Sequence, residues 1–133
     1  MSSAAVINTF LGHIFTGRMD EALALVAPDA RFIPSRPEPT AAVPLFGTFV
    51  GPEGARRVFT TFAEVLEPGR FEVEGTLEQG ELVTLFGQLE HMVRATGKPF
   101  RSDWAMVCKV VDGKVALYHF YEDTLALGEA LAG

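Results

Sequence analysis

One cysteine in 133 residues leaves Cys108 without an internal disulfide partner. The fold must therefore hold by packing alone. Cys108 sits between apolar neighbours in a strand-like run, so it reads as a buried, inert thiol rather than a nucleophile. Eleven basic residues are spread thinly, and Arg56-Arg57 is the densest pair in a chain of net charge −6. Phosphate recognition needs concentrated positive charge, so a nucleic-acid partner is not expected. No apolar run is long enough to span a bilayer, and no membrane partner is expected. The N-terminus, MSSAAVINTFLGHIF, lacks a positive n-region and reads as a helix rather than a signal peptide. A cytoplasmic location follows as an expectation. Three histidines without ligand spacing predict no metal site. Phosphate-loop, dinucleotide and nucleophile-elbow motifs are missing too, and no cofactor is expected.

What the chain has is phenylalanine: eleven, against one tryptophan and two tyrosines. Phe brings area without a polar handle, which suits a large core or the wall of an apolar cavity. The length suits one domain over residues 1–133. The stretch from Arg94 to Thr124 is the most informative. Asp112-Gly113 supplies the positive φ angles of a tight hairpin turn. Thr96-Gly97-Lys98-Pro99 forms a looser turn. Phe100, Trp104, Tyr118, Phe120 and Tyr121 recur on the strands around them.

Periodicity orders the rest. Ser2 or Ser3 caps a helix to about Phe15, with Val6, Ile7, Phe10, Leu11 and Ile14 on its buried face. Met19 to Ala27 is a second helix, and Ala30 to Ile33 a short strand. Pro34, Pro37, Pro39 and Pro44 forbid regular structure and make a rim or lid loop. Leu45 to Val50 is a candidate strand. A third helix opens at Gly51-Pro52, buries Val58, Phe59, Phe62, Val65 and Leu66, and stops at Pro68-Gly69. Strands then run over 70–77, 81–95, 100–111 and 114–121, and a helix closes the chain over 124–132. Helices first and a long antiparallel sheet afterwards give an α+β fold.

These pieces, in order, resemble the nuclear transport factor 2-like superfamily, in its SnoaL-like and ketosteroid-isomerase-like branch. The matching residues are Gly17…Asp20-Glu21-Ala22-Leu23, Ala27-Pro28-Asp29-Ala30, Phe46-Gly47…Gly51-Pro52-Glu53-Gly54, Arg94-Ala95-Thr96-Gly97-Lys98, Asp112-Gly113-Lys114-Val115 and Tyr121-Glu122-Asp123-Thr124. The resemblance covers nearly the whole chain. It implies a cystatin-like cone: a curved mixed sheet wrapped around three N-terminal helices, with a pocket at the wide end. It also implies a homodimer through the outer sheet face, here around Glu90, Met92, His119 and Tyr121. Activity does not follow from the fold, which hosts isomerases, cyclases, dehydratases and proteins without catalysis.

Residue by residue, the steroid-isomerase chemistry is missing. Its oxyanion tyrosine falls at Phe10, its carboxylate base near Pro34 and its second acid near Met106. None of these can exchange a proton. The Asp–Arg–Asp set of related epoxide hydrolases falls near His91, Leu89 and Phe120, and is lost as well. Strand alternation gives an independent list. Leu89 and His91 share a face, as do Trp104, Met106 and Cys108, and Tyr118, Phe120 and Glu122. With Phe10, Ile14, Phe32, Phe59 and Phe62 from the other elements, they would line a mostly apolar small-molecule cavity. His91 is the candidate proton-transfer residue, with Tyr118 or Trp104 orienting the ligand. The expected function is binding of a small apolar molecule, polycyclic or polyketide-like, with or without isomerase, cyclase or dehydratase chemistry. The alternative is a non-catalytic binding or assembly module whose cavity is only core.

Overall fold

The computed structural model describes residues 1–133. In chain order it contains α1 (Ser3–Phe15), α2 (Met19–Leu23), β1 (Val26–Pro34), β2 (Phe49–Val50), α3 (Gly51–Val65), β3 (Leu66–Gln79), β4 (Leu82–Val93), β5 (Pro99–Val111), β6 (Lys114–Glu122) and α4 (Thr124–Leu131). The six strands form one curved, unclosed sheet in the order β2-β1-β6-β5-β4-β3. It is mixed: β1 runs parallel to β6, and every other pair is antiparallel. The α+β cone is therefore the observed architecture. Two strands precede α3, so its three covering helices are not contiguous in sequence.

Local chemistry sets the element ends. The Ser2 side chain accepts from the Ala5 N–H and caps α1. Pro52 occupies the first turn of α3, where its missing N–H costs nothing. Asp123 caps α4 by accepting from the Ala126 N–H at 3.0 Å. Asp112 (φ 52°) and Gly113 (φ 75°) both take left-handed backbone and turn β5 into β6.

Four expectations need correction. Pro34 does not open the loop but ends β1, where it pairs with Phe120 of β6. The second helix ends at Leu23, and β1 already begins at Val26, so Ala24 to Ala27 is not helical. Only Phe49–Val50 of the 45–50 segment is strand; Leu45 and Phe46 are buried in the loop instead. Pro68-Gly69 does not stop a helix. The helix ends at Val65, and the pair lies inside β3, where the register with β4 slips between Glu67 and Arg70. A bulge tolerates proline because the ladder bond is already broken there.

Burial follows strict alternation along β4. Val83, Leu85, Gly87, Leu89, His91 and Val93 are buried, while their neighbours face out. Residues from both ends of the chain, Val6 to Ala130, join one cluster of 28 buried residues on the concave side. α3 packs on β1, and α1 lies against β3 to β6. Cys108 is within this cluster, and burial pushes its thiol up to about 12, which leaves it inert.

Candidate functional site

The concave face carries two layers of aromatic rings. The deep layer joins Phe10 of α1, Phe32 of β1, Phe59 of α3 and Tyr118 of β6. Phe32 stacks on Tyr118 at 5.2 Å between centroids, and Phe10 and Phe59 close on both at 5.6–6.5 Å. These are ordinary tilted and stacked packing geometries. Phe10 and Phe32 are fully buried, as is Met106, and Leu89 is nearly so.

The second layer is a ladder across the strands. Phe71 of β3 stacks on Trp104 of β5 at 4.5 Å and 15°, Trp104 on Phe120 of β6 at 5.5 Å and 18°, and Phe120 on Tyr118 at 6.4 Å. Phe71 and Trp104 meet although β4 runs between their strands. Gly87 makes this possible. It lies opposite Trp104 in the β4–β5 register, and without a side chain there the indole can lean across β4. His91 lies parallel to Phe71 at 6.5 Å and takes the edge of Phe62 at 5.2 Å. Ile14 is half-buried against the same core.

Polar atoms interrupt these rings at few points. His91 Nε2, Trp104 Nε1 and Ser35 Oγ are buried without a hydrogen-bond partner, and His13 Nδ1 is the other such atom. Buried polar atoms are nearly always paired, so each demands an explanation. For His91 the tautomer is fixed by its other nitrogen. The β3 bulge aims the Gly69 N–H at Nδ1, 3.0 Å away. Nδ1 must therefore accept, and the ring proton sits on Nε2. Burial lowers the His91 pKa, with partial opposition from the Glu90 carbonyl, so the ring is neutral near pH 7. Gly69 is required at the bulge: a Cβ there would stand 2.3 Å from the Glu90 carbonyl oxygen.

Glu122 follows Tyr118 and Phe120 on the inward face of β6 and pairs with Trp104 in the β5 register. Burial raises its carboxyl to about 7, partly offset by the Ser35 hydroxyl nearby. That hydroxyl and the carboxylate do not close a hydrogen bond of full geometry. Tyr118 is buried, and desolvation holds its hydroxyl well above the ordinary range, with Cys108 and Glu122 adding to the effect. The site therefore offers neutral donors at His91 and Trp104 and one carboxyl that changes charge near neutrality. Such a carboxyl is matched to moving protons at physiological pH.

The residues expected to line a cavity thus divide. Phe10, Phe32, Phe59 and Tyr118 meet in the deep layer, and Leu89 and Met106 belong to the same buried core. His91, Trp104, Phe120, Phe62 and Glu122 meet around the ladder. Phe71, the β3 end of the ladder, and Ser35 are not among the residues expected from the sequence. Two broad surface depressions measure about 440 and 480 Å³, and the second reaches His91 and Gly69 from the β3–β4 side. One is lined by Lys98, Arg101 and Glu129, the other by Glu67, Arg70 and Glu90.

Residues 7–118 match the family described as the SnoaL-like domain, and the chain belongs to that family. No curated protein matches. Among solved structures it is similar to an NTF2-like protein from Burkholderia xenovorans, at 27% identity and a TM-score of 0.87, covering 98% of this chain and 95% of that one. It shares its fold with TerC, which was co-crystallised with polyporic acid, at 23% identity and a TM-score of 0.81, covering 97% of each chain. A candidate SnoaL-like polyketide cyclase from Mesorhizobium loti is 23% identical with a TM-score of 0.69, covering 91% of this chain and 99% of that one. No helix here is long and apolar enough to cross a membrane.

Proposed function

We propose that this protein binds a planar, oxygen-bearing apolar molecule against the Phe71–Trp104–Phe120 ladder and moves a proton on it. The observation that carries this reading is the set of buried, unpartnered atoms on the ladder side: His91 Nε2, Trp104 Nε1 and Ser35 Oγ. The first two can only donate, so they suit a carbonyl or phenolate oxygen on the ligand. The rings supply a stacking surface for its apolar body. His91 takes the donor role rather than that of a base, because its other nitrogen already accepts from Gly69. Glu122 is then the proton acceptor: its carboxylate takes a proton from the ligand while the two donors stabilise the oxygen that gains charge. This is isomerase, cyclase or dehydratase chemistry in outline, on residues other than those of the steroid isomerases.

Polyporic acid, the compound crystallised with TerC, is a suitable first probe. Trp104 is the sole tryptophan, so its fluorescence reports the ladder alone. Saturable quenching is expected, weakened about tenfold or more in His91→Phe, which keeps the ring but removes the donor. Native mass spectrometry before and after denaturation would identify any compound retained on purification. No quenching and no retained compound would sink the reading. A non-catalytic reading has its own support: the deep layer of Phe10, Phe32, Phe59 and Tyr118 is already filled ring against ring.

We also propose that two copies pair through the outer sheet face. Tyr121, Ala105, Phe86 and Gly75 are consecutive partners across β6, β5, β4 and β3, and Tyr121 and Phe86 are exposed on it with Met92 nearby. Sedimentation at micromolar concentration should give a dimer, converted to monomer by Phe86→Glu. A wild-type monomer would remove this interface.

A further inference from the structure

Ser35 is one of only two non-glycine residues with positive φ, at 69°, and unlike Asp112 it is not in a hairpin turn. Such a conformation costs about 1 kcal/mol or more for a residue with a Cβ, and persists only where its surroundings over-determine it. Several contacts do so. The Ser35 N–H donates to the Phe120 carbonyl at 2.7 Å and lies 3.1 Å from that of Ile33. From the opposite side of the sheet, His119 Nε2 lies 3.0 Å from the Ser35 carbonyl oxygen. A carbonyl only accepts, so this nitrogen carries the proton. His119 Nδ1 is then an acceptor, and the Tyr121 hydroxyl donates to it at 3.0 Å. The two rings stack at 3.9 Å, which fixes the imidazole further. Neither ring reaches the concave face, yet both act on the residue whose hydroxyl stands beside Glu122.

We propose that His119 and Tyr121, on the outer face, are positioning residues for the polar end of the site: they clamp Ser35 in its left-handed conformation and so hold its hydroxyl toward the Glu122 carboxyl. The Ser35 hydroxyl is buried without a hydrogen-bond partner, and its nearness favours the ionised form of Glu122. Tyr118, on the same strand, is the ionisable group that interacts with that carboxyl on the concave side, and Cys108 of β5 acts on Tyr118 in turn. Neither changes charge between pH 5 and 9, because burial raises both. Loss of the Ser35 hydroxyl is therefore read directly in the Glu122 titration, and the neutral amide of His119→Gln separates the Ser35 contact from loss of the imidazole. This assignment rests on the reading of Glu122 as the proton acceptor of the site, but its test does not need a ligand.

The experiment is a carbon-13 NMR titration of the Glu122 carboxyl in the ligand-free protein. Ser35→Ala removes the hydroxyl and should raise the Glu122 pKa by about half a unit or more. His119→Ala should raise it in the same direction and to a similar extent. His119→Gln should restore the wild-type value, since its amide N–H can reach the same carbonyl. A purely structural role for His119 would lower the melting temperature and leave the titration where it was, which would overturn the proposal. So would a Ser35→Ala titration identical to wild type. Should His119→Ala fail to fold, Tyr121→Phe takes its place: it deletes one hydroxyl, and a shift of the same sign is required. Polyporic acid titrations on the same samples separate the two readings. A Glu122 shift without ligand binding keeps the clamp and discards the proton-transfer site. Binding without the shift does the reverse.

Discussion

Glu122→Gln should make the protein more stable above pH 7, by up to about 3 kcal/mol, while changing little at pH 4 relative to that difference. The sign follows from where the proton sits. In the unfolded chain Glu122 titrates near its ordinary 4.5, whereas burial raises it to about 7 in the fold. Between these values the folded state holds a proton that the unfolded state releases. Stability is therefore greatest below pH 4.5, falls as pH rises through that window, and is fully reduced above 7. Glutamine keeps the shape and never ionises, so it escapes the loss. Urea denaturation of both proteins at pH 4.5 and pH 8 measures the difference of differences, which cancels any constant effect of the extra amide. An equal gap at the two pH values would show that the carboxyl is not desolvated. If Glu122 also accepts the ligand's proton, the stabilised variant will be the inactive one, as expected where a site is maintained at the expense of stability.

Gly87→Ala should be the most damaging single-methyl change in the sheet, at about 3 kcal/mol or more. An added Cβ would fall 1.8 Å from the Glu72 carbonyl oxygen and 3.2 Å from the Glu74 N–H nitrogen. Both are backbone atoms of β3, so no side-chain rotation relieves the clash, and β3 must part from β4 at the bulge between Val73 and Gly75. Parting β3 from β4 would carry Phe71 away from Trp104, and tryptophan emission should shift to the red. Gly128→Ala is the control. It has nothing within 4 Å, lies within α4, and should gain up to about 1 kcal/mol from helix propensity. Urea midpoints of the three proteins decide the matter; a Gly87→Ala protein as stable as wild type would mean that the bulge is plastic.

The parts of this fold that were legible in the sequence are those set by local chemistry. Asp112-Gly113 could only turn, and Ser2 could readily cap. Alternation along β4, β5 and β6 gave the buried faces of Leu89, His91, Trp104, Met106 and Tyr118 because those strands pair with each other over their inner stretches without a slip. β3 was opaque for the converse reason. Pro68-Gly69 mimics a helix stop, and two register slips break its period, so Phe71 could not be assigned to the ladder. Ser35 gave no signal at all. A positive φ on a serine is imposed by contacts from Ile33, His119 and Phe120 that exist only once the sheet has formed. Likewise the proton position on His91 depends on the N–H of Gly69, 22 residues away.

The bulged strand β3 also has a bearing on how the protein behaves in crowded solution. It is the last strand of an unclosed sheet, and its outer rim is open for much of its length. A long, flat rim of this kind would template the edge of another molecule and seed fibres. Here Pro68 withholds an N–H, the two slips bend the strand, and Glu67, Arg70, Glu72, Glu74 and Glu78 stud it with charge. The strand that delivers Phe71 to the ladder and the Gly69 N–H to His91 is thus also a gatekeeper against aggregation. Replacing its glutamates to tighten packing would trade colloidal solubility for order.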